Sequence, residues 1–142
     1  MKSLIFGYGE TGKSFERFLT TRNLEFEIYD KNIKRFNKKY ELNEFDQILC
    51  SPGIPKSIFK EIKKKNNNTY TDIDIFFNYD NSIKIGITGT NRKSTTAFHL
   101  QQIFEDYNSA NLIGNIGNPM LDFMNNNKKF SIIELSSFQL DK

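Results

Sequence analysis

Two glycine-containing loops carry the strongest chemical signal in the sequence, and each follows a short apolar run. The first is Gly7-Tyr8-Gly9-Glu10-Thr11-Gly12, a complete G-x-G-x-x-G, and Asp30 ends the next apolar run. Glycines at these positions permit a tight turn and let backbone N–H groups approach a phosphate at a helix N-terminus. The loop predicts a nucleotide-type ligand, although a tight turn without a ligand remains an alternative.

The second loop resembles a phosphate-binding P-loop. Its members are Gly89, Thr90, Asn91, Arg92, Lys93, Ser94 and Thr95. In such loops the lysine supplies positive charge to the terminal phosphates and the hydroxyl that follows it ligates Mg²⁺. Arg92 stands where a glycine normally precedes that lysine, so the pattern alone also permits an ordinary turn. We expect Arg92 to impair the loop if its φ is positive, because glycine adopts such angles freely and arginine does not.

A third group of candidates follows two later apolar runs. Gly114-Asn115-Ile116-Gly117-Asn118-Pro119 forms one loop, and Glu134 ends the following run, just before Ser136 and Gln139. A carboxylate at the end of a strand beside a P-loop can hold a metal ion. Taken alone, Glu134 is more simply interpreted as a strand-end carboxylate that faces water.

Other residues that could do chemistry lack suitable partners in the sequence. His99 has no serine or carboxylate at a spacing typical of a catalytic triad. Cys50 ends an apolar run and is expected to be a buried small residue, and no Cys/His cluster predicts zinc. Lys63 to Lys65 suit the last turn of a helix, and Asn66 to Asn68 look like an exposed loop.

The loops require strands that end at them and helices that begin after them. Apolar runs predict strands at 3–6, 26–29, 47–50, 69–70, 83–87, 112–113 and 130–135. Helical spacing covers 11–22, 58–65, 71–77, 93–107 and 120–124, whereas 36–40 is ambiguous. The polar segment 78–82 predicts a domain boundary. This alternation predicts the α/β class, with a Rossmann-like parallel sheet in residues 1–80 and an incomplete P-loop α/β domain in residues 83–142.

Composition narrows the possible functions. The chain has 142 residues, enough for one domain or two small ones, and 20 basic against 17 acidic residues leave a net charge of +3. That charge is too small to imply a nucleic-acid partner. The single cysteine fits a reducing cytoplasm, and no apolar run is long enough to predict a membrane span.

The order of these pieces resembles the Mur ligases of peptidoglycan synthesis. The resemblance is carried by the first glycine loop, the Ser51-Pro52-Gly53-Ile54 turn, the second loop, the Gly114–Pro119 loop and the closing string Glu134-Leu135-Ser136-Ser137-Phe138-Gln139-Leu140. Within that family it is most similar to the branch that adds D-glutamate to UDP-MurNAc-L-alanine. The resemblance covers essentially the whole chain, and the closing string is its most specific part.

The resemblance implies an ATP- and Mg²⁺-dependent amide-forming ligase that proceeds through an acyl phosphate. The second loop, Gly89 to Thr95, would bind ATP, with Lys93 as the catalytic residue that neutralises the transferred phosphate; Ser94 and Glu134 would hold Mg²⁺. The positions implied for substrate binding are Glu10, Thr11, Asp30, Ser51, Pro52 and Gly53 for the uridine diphosphate, and Asn115, Ser136 and Gln139 for the muramoyl-alanine. The implied enzyme is cytoplasmic and monomeric, with no nucleic-acid partner.

One departure from the family keeps alternatives open. Its members have further domains and are several-fold longer, so we expect this chain to be a fragment, a truncated protein or a degenerate copy, without ligase activity on its own. Two other functions therefore stay under consideration. One is a non-catalytic UDP-sugar-binding remnant, and the other is an NAD-binding domain based on the first glycine loop and Asp30 alone.

Overall fold

The chain divides into two compact units, Met1–Ile75 and Phe76–Asp141. The computed structural model describes residues 1–106, 109–116 and 118–140. The division falls inside a helix that continues to Tyr79, whereas the sequence places a polar boundary at residues 78–82. Asn78 and Tyr79 are thus helical, because the apolar residues before them nucleate a helix that the polar segment does not interrupt until Asp80.

The first unit is built on a four-stranded parallel sheet with the strand order β2-β1-β3-β4. Its elements are β1 (Lys2–Phe6), α1 (Glu10–Thr20), β2 (Glu25–Tyr29), 3₁₀ turns at Lys34–Phe36 and Leu42–Glu44, β3 (Gln47–Cys50), α2 (Lys56–Lys65), β4 (Thr69–Tyr70) and the start of α3 (Asp72–Tyr79). The ambiguous residues 36–40 contain only the end of the first 3₁₀ turn, and no strand or α-helix.

Apolar residues on β1, β3 and two helices form the core of this unit. Phe15 and Leu19 lie one helical turn apart on α1 and are fully buried, as their spacing predicts. Leu4, Ile48 and Phe59 belong to one buried cluster, which also includes Cys50. The prediction that Cys50 is a buried small residue is confirmed.

The asparagine run after α2 differs from the exposed loop that the sequence predicts. Lys63 to Lys65 do occupy the last turn of α2. Asn66, however, is only 9% exposed, and its amide donates to the carbonyls of Leu42 at 2.9 Å and Phe45 at 2.7 Å. One asparagine of the run therefore satisfies buried backbone groups, which composition alone does not indicate.

The second unit contains a three-stranded parallel sheet with the order β5-β7-β6. Its elements are β5 (Ile83–Ile87), α4 (Lys93–Glu105), β6 (Ala110–Gly114), a 3₁₀ turn at Met120–Phe123, β7 (Phe130–Glu134) and a short α5 (Ser137–Leu140). Ala97 of α4 packs against the sheet with Ala110 and Ile132. The predicted α/β class with parallel sheets is thus confirmed; the expected end of α4 at Tyr107 lies outside the described residues.

None of the helices in the described part of the chain has the length and hydrophobicity needed to cross a bilayer.

A group of hydrogen bonds around the buried Asp80, called here the Asp80 latch, holds residues 79–82, which lead into β5. The Asp80 carboxylate accepts the backbone N–H groups of Asn125 at 2.8 Å and Ser82 at 2.8 Å. In return, Asn125 donates its side-chain amide to the Tyr79 carbonyl at 2.9 Å and accepts the Asn81 N–H at 3.0 Å. Since the Asp80 side chain is only 2% exposed, these bonds replace the hydration that the carboxylate loses.

Replacing Asp80 by Asn is expected to lower the free energy of unfolding of the second unit by about 1–3 kcal/mol. An amide NH₂ cannot accept the N–H groups that the second carboxylate oxygen accepts. Asp106→Asn, which removes the same charge from an exposed site of the same unit, is the control. Urea unfolding, monitored by circular dichroism, measures the free energy of unfolding of both variants. Equal stability of Asp80→Asn and Asp106→Asn would contradict a stabilising role for the hydrogen bonds to Asp80.

The hydrogen bonds to Asp80 also predict how the difference in free energy of unfolding between the wild type and Asp80→Asn depends on pH. Burial alone raises the pKa of Asp80, but the hydrogen bonds from Asn125 and Ser82 and the charge of Lys84 outweigh it, so the pKa is lowered. The stabilisation is therefore complete above the unfolded pKa, about 4, and is lost as the pH falls through the lower folded value. The gap between the wild type and Asp80→Asn should close in acid.

Candidate functional site

Both units place their candidate residues at the carboxyl ends of parallel strands. In the first unit β1 lies between β2 and β3, so the chain leaves β1 towards one side and later returns to the other. Such a reversal opens a crevice at the carboxyl ends of the two neighbouring strands, where ligands of open α/β sheets bind. The Gly7–Gly12 loop follows β1, and the Ser51–Gly53 turn follows β3.

The first glycine loop requires glycine at two of its positions. Gly7 has a φ of +92°, and a Cβ there would lie 3.1 Å from Ile54 Cδ1. A Cβ on Gly12 would lie 2.3 Å from the Gly7 carbonyl oxygen, a distance that no side chain tolerates. The loop can therefore fold back tightly onto the start of α1 only with these residues.

Asp30 and Ser51 hold this loop from two sides. Asp30 accepts the Tyr8 N–H at 2.8 Å through one carboxylate oxygen and the Asn32 N–H at 2.8 Å through the other. The buried Ser51 hydroxyl donates to the Gly7 carbonyl at 2.6 Å. The structure therefore brings together the glycine loop, Asp30 and Ser51.

The other predicted residues of this crevice are more open. Glu10 is exposed at the first position of α1 and pairs with Lys13 at 2.6 Å. Thr11 and Pro52 are partly buried, and Gly53 is exposed in the turn after β3. Glu10 and Thr11 thus belong to the glycine loop itself, and Pro52 and Gly53 belong to the turn after β3.

Sequence reasoning missed Tyr8, whose side chain is anchored beside the loop. Its hydroxyl donates to the Glu16 carboxylate, and its ring meets the edge of Phe36 at 4.8 Å between centroids. The hydrogen bond to Glu16 is the main cause that raises the Tyr8 pKa, followed by burial. The position of Tyr8 between the two glycines of the G-x-G motif is the sequence signal that could have identified it.

The second loop contains two residues with a positive φ. Gly89 has a φ of +149°, and Arg92 lies in the left-handed region with φ 60° and ψ 16°. The condition under which Arg92 strains the loop is therefore met. Lys93 begins α4, and its amine donates to the Gly89 carbonyl at 2.8 Å. Thr90, Asn91 and Thr95 are exposed around it.

Glu134 is the centre of the second site and is buried. Only 2% of it is exposed, so the simpler interpretation that it faces water is wrong. One carboxylate oxygen accepts the Ser94 hydroxyl at 2.8 Å, and the other accepts the Asn115 amide at 3.1 Å. Three predicted residues thus meet here: Ser94 from the first turn of α4, Asn115 from the loop after β6, and Glu134 at the end of β7.

The spacing of Ser94 Oγ and Glu134 Oε2 is compatible with two ligands of a small divalent cation. Two neighbouring ligands of octahedral Mg²⁺, each about 2.1 Å from the ion, lie about 3 Å apart. The 2.8 Å between Ser94 Oγ and Glu134 Oε2 is an ordinary hydrogen-bond length and is also close to that spacing. Among the described residues no group of three or more His, Cys, Asp or Glu side chains could hold a metal. A cation here would need oxygen ligands from outside the protein, as Mg²⁺ bound with a nucleotide has.

Ser136 and Gln139 contact each other at the start of α5. The Gln139 side-chain oxygen accepts the Ser136 N–H and hydroxyl, both at 2.9 Å, and the Ser136 hydroxyl accepts the Gln139 N–H at 3.3 Å. This is a capping box, which satisfies the free N–H groups of a helix start. Their role in substrate binding stays a prediction. Gly117 of the neighbouring loop lies outside the described residues.

His99, the remaining candidate, is exposed on α4 and contacts the neighbouring Phe98 ring.

Comparison with known proteins identifies relatives along nearly the whole chain. No family model matches the sequence. The UDP-N-acetylmuramoylalanine–D-glutamate ligase of Francisella tularensis subsp. tularensis is 37% identical over 148 aligned positions, which cover 99% of this chain and 35% of that protein. The ligase of subsp. novicida matches to the same extent. The chain is homologous to the N-terminal part of these ligases. It spans 35% of the length of the ligases it matches.

Replacing Arg92 by Gly is expected to remove the backbone strain of the left-handed conformation, which costs about 1–2 kcal/mol. The gain in stability is smaller than this, because glycine loses more conformational entropy on folding. The same change should tighten Mg-ATP binding, because the loop backbone could then approach the phosphates more closely. Asn91→Gly, at the preceding exposed position, adds backbone freedom without relieving a positive φ and is the control. Isothermal titration with Mg-ATP measures the effect. Unchanged or weaker binding of Arg92→Gly would mean that the guanidinium itself contacts phosphate.

Proposed function

We propose that this chain provides the substrate- and ATP-binding loops of a ligase that joins D-glutamate to UDP-MurNAc-L-alanine. The observation that carries the proposal is the 2.8 Å contact between Ser94 and the buried Glu134, at the start of the helix that follows a P-loop-like turn. The 37% identity to D-glutamate-adding ligases supports the choice of reaction. ATP and Mg²⁺ are part of the proposal, as is a cytoplasmic location.

The proposed reaction has two steps. The carboxylate of UDP-MurNAc-L-alanine attacks the γ-phosphorus of ATP, the bond to the β–γ bridging oxygen breaks, and ADP leaves. The amine of D-glutamate then attacks the acyl phosphate, and phosphate leaves as the amide forms. Phosphoryl transfer of this kind depends on positioning and on charge stabilisation more than on covalent help from the protein.

Lys93 is proposed to stabilise the charge of the transferred phosphoryl group. Its amine lies on the loop itself, 2.8 Å from the Gly89 carbonyl, so a short rotation of a flexible side chain brings it to a phosphate in the loop. Backbone N–H groups at the start of α4 add the positive end of the helix dipole. Bound Mg²⁺ would be held by Ser94 and Glu134 and would neutralise phosphate charge.

The first unit is proposed to bind the uridine diphosphate part of the substrate. Phosphate would lie against the Gly7–Gly12 loop, in the crevice that Ser51 and Asp30 border. Asp30 already accepts the Tyr8 N–H and the Asn32 N–H, so both of its oxygens are engaged with backbone. Each of these oxygens keeps a second lone pair, so Asp30 can still accept a ligand hydroxyl; the choice of a uridine nucleotide over NAD rests on the 37% identity to the UDP-N-acetylmuramoylalanine–D-glutamate ligases.

The strain at Arg92 favours a second candidate function. A loop with a side chain at a left-handed position binds ATP less well than one with glycine, whereas the first unit has no comparable strain in its glycine loop. A chain with intact substrate binding and weak ATP binding would act as a non-catalytic UDP-sugar-binding protein. Mg-ATP affinity distinguishes the two candidates.

Replacing Glu134 by Gln is expected to weaken ATP binding about tenfold in Mg²⁺ and to leave it unchanged in EDTA, because the amide keeps the shape but loses the charge that attracts the cation. Lys93→Ala should weaken binding in both conditions. Glu105→Gln, exposed on α4, is the matched control. An equal loss in Mg²⁺ and in EDTA for Glu134→Gln would give Glu134 a purely structural role.

The whole chain is expected to bind UDP-MurNAc-L-alanine more tightly than NAD⁺. Ser51→Ala should reduce that affinity about three- to tenfold, since it removes one hydrogen bond that shapes the glycine loop, and should leave ATP affinity unchanged. Ser57→Ala, exposed on α2, is the control. Calorimetric titration measures both ligands, and tighter binding of NAD⁺ would overturn the ligase interpretation of this unit.

A further inference from the structure

The glycine loop of the first unit carries a tyrosine between two glycines. Tyr8 follows Gly7, whose φ is +92°, and precedes Gly9, where a Cβ would meet no atom within 4 Å. Glycine gives the backbone more accessible conformations than any other residue, and a ligand that needs one of them must order the segment when it binds. A loop of this composition therefore binds a ligand tightly only if another part of the fold holds its shape.

The turn that follows β2 holds Tyr8 at two points. Asp30 accepts the Tyr8 backbone N–H at 2.8 Å, and the rings of Tyr8 and Phe36 pack edge to face with 4.8 Å between their centroids. Phe36 itself returns to Asp30, whose N–H donates to the Phe36 carbonyl at 3.2 Å. One turn thus contacts both the backbone and the side chain of Tyr8.

Helix α1 holds the same side chain from the other end. The Tyr8 hydroxyl donates to the carboxylate of Glu16, in the second turn of α1. The Tyr8 ring lies beside the start of this helix, since a Cβ on Gly12 would lie 3.5 Å from Tyr8 Cδ2. Hydrogen bonds to a carboxylate are stronger than those between neutral groups. The ring therefore connects the turn after β2 with α1, the two segments that flank the loop.

The charges around the Tyr8 hydroxyl keep it a hydrogen-bond donor. The hydrogen bond to Glu16 raises the pKa of Tyr8, and burial raises it further, whereas the positive charges of Arg35 and Arg17 lower it without reversing the shift. The Arg35 guanidinium lies 4.5 Å from the centroid of the Phe36 ring. The phenol therefore stays protonated at neutral pH.

We propose that Tyr8 and Glu16 are positioning residues of the glycine loop: their hydrogen bond, called here the Tyr8 anchor, holds the loop in its binding shape before a diphosphate ligand arrives. Neither side chain has to touch the ligand, because the effect passes through the Tyr8 backbone, whose N–H is kept on Asp30. A loop that is ordered in advance raises affinity without a new contact. The identity of the ligand, UDP-MurNAc-L-alanine, rests on the proposed function, whereas the anchor itself does not.

Isothermal titration of the full chain with UDP-MurNAc-L-alanine tests the Tyr8 anchor. Tyr8→Phe, which removes only the hydroxyl, should weaken binding about three- to tenfold. Glu16→Ala should weaken it as much, whereas Glu16→Gln keeps an acceptor oxygen and should retain most of the affinity. The double variant Tyr8→Phe with Glu16→Ala should lose no more than either single variant, because both changes break the same bond.

Tyr40 and Glu27 supply a matched control in the same unit. The Tyr40 hydroxyl donates to the Glu27 carboxylate at 3.3 Å, and neither residue belongs to the glycine loop. Tyr40→Phe and Glu27→Ala should leave the affinity unchanged, at a temperature where urea unfolding shows every variant to be folded. A merely structural hydrogen bond would lower the free energy of unfolding in both pairs without changing the affinity of the folded chain.

Hydrogen exchange of the Tyr8 amide in the ligand-free chain gives a second readout. Exchange should become about three- to tenfold faster in Tyr8→Phe and in Glu16→Ala, because the loop then opens more often, and should stay near the wild-type rate in Glu16→Gln. Unchanged exchange in Tyr8→Phe and Glu16→Ala would overturn the proposal. Equal affinity of these variants and the wild type would overturn it as well.

A parallel titration with NAD⁺ keeps the two proposals separate. Both ligands carry a diphosphate, so the anchor acts on whichever of them the loop binds. Binding of NAD⁺ alone, weakened in Tyr8→Phe, would refute the proposed substrate and support the anchor. Binding of UDP-MurNAc-L-alanine with equal affinity in all variants would refute the anchor and leave the proposed function standing. Binding of neither ligand would overturn both proposals.

Discussion

A buried carboxylate at the end of a parallel strand is the constraint on which the second unit depends. Glu134 leaves water almost completely, so its oxygens must find donors, and these come from Ser94 and Asn115. Satisfying one charge therefore ties the start of α4 and the loop after β6 to the end of β7. The close approach has a further requirement at Gly114, whose φ is +103° and where a Cβ would lie 2.4 Å from the Glu134 carbonyl oxygen. The glycine is needed so that the strand ends can meet.

The first unit reaches a similar arrangement through a different use of its carboxylate. Asp30 is only partly buried, and it accepts backbone N–H groups from the glycine loop and from its own turn. Ser51 completes the arrangement from the opposite side. In the first unit the carboxylate shapes a backbone turn, and in the second it accepts a serine hydroxyl and an asparagine amide from the two neighbouring segments. The parallel-sheet geometry is shared, but the chemistry that each loop can perform is different.

Local patterns in the sequence predicted the elements well, because each depends on neighbouring residues. The strands at 47–50, 69–70 and 83–87 have the predicted bounds. The contacts that specify the sites are long-range, but one could still be anticipated: Glu134 lies at the carboxyl end of a strand beside a P-loop-like sequence, which predicts that it lies near Ser94. Its burial could not be anticipated, since exposure depends on how completely neighbouring loops cover a strand end.

Asparagines show where such prediction stops. Asn66 and Asn125 occur in runs of identical residues that look alike as sequence, yet each has one specific set of backbone partners. The partner of Asn125 lies 45 residues away at Asp80, so no local spacing reveals it. Ser136 and Gln139 show a different difficulty. Their spacing is local and easily recognised, but it suits a capping box as well as a substrate site, so the sequence does not decide between the two roles.

Arg92 shows that the fold, and not the local residue, determines the shape of the second loop. An arginine left to its own preference avoids a φ of 60°, by roughly 1–2 kcal/mol. It adopts that angle here because both flanks of the loop are fixed: β5 pairs with β7 on one side, and α4 begins at Lys93 with the Thr96 N–H bonded to the Arg92 carbonyl at 2.9 Å on the other. Strain of this size persists only where the surroundings over-determine the backbone. The left-handed turn is therefore a property of the strand–loop–helix unit, and it forms although position 92 holds an arginine and not a glycine, which would adopt it without strain.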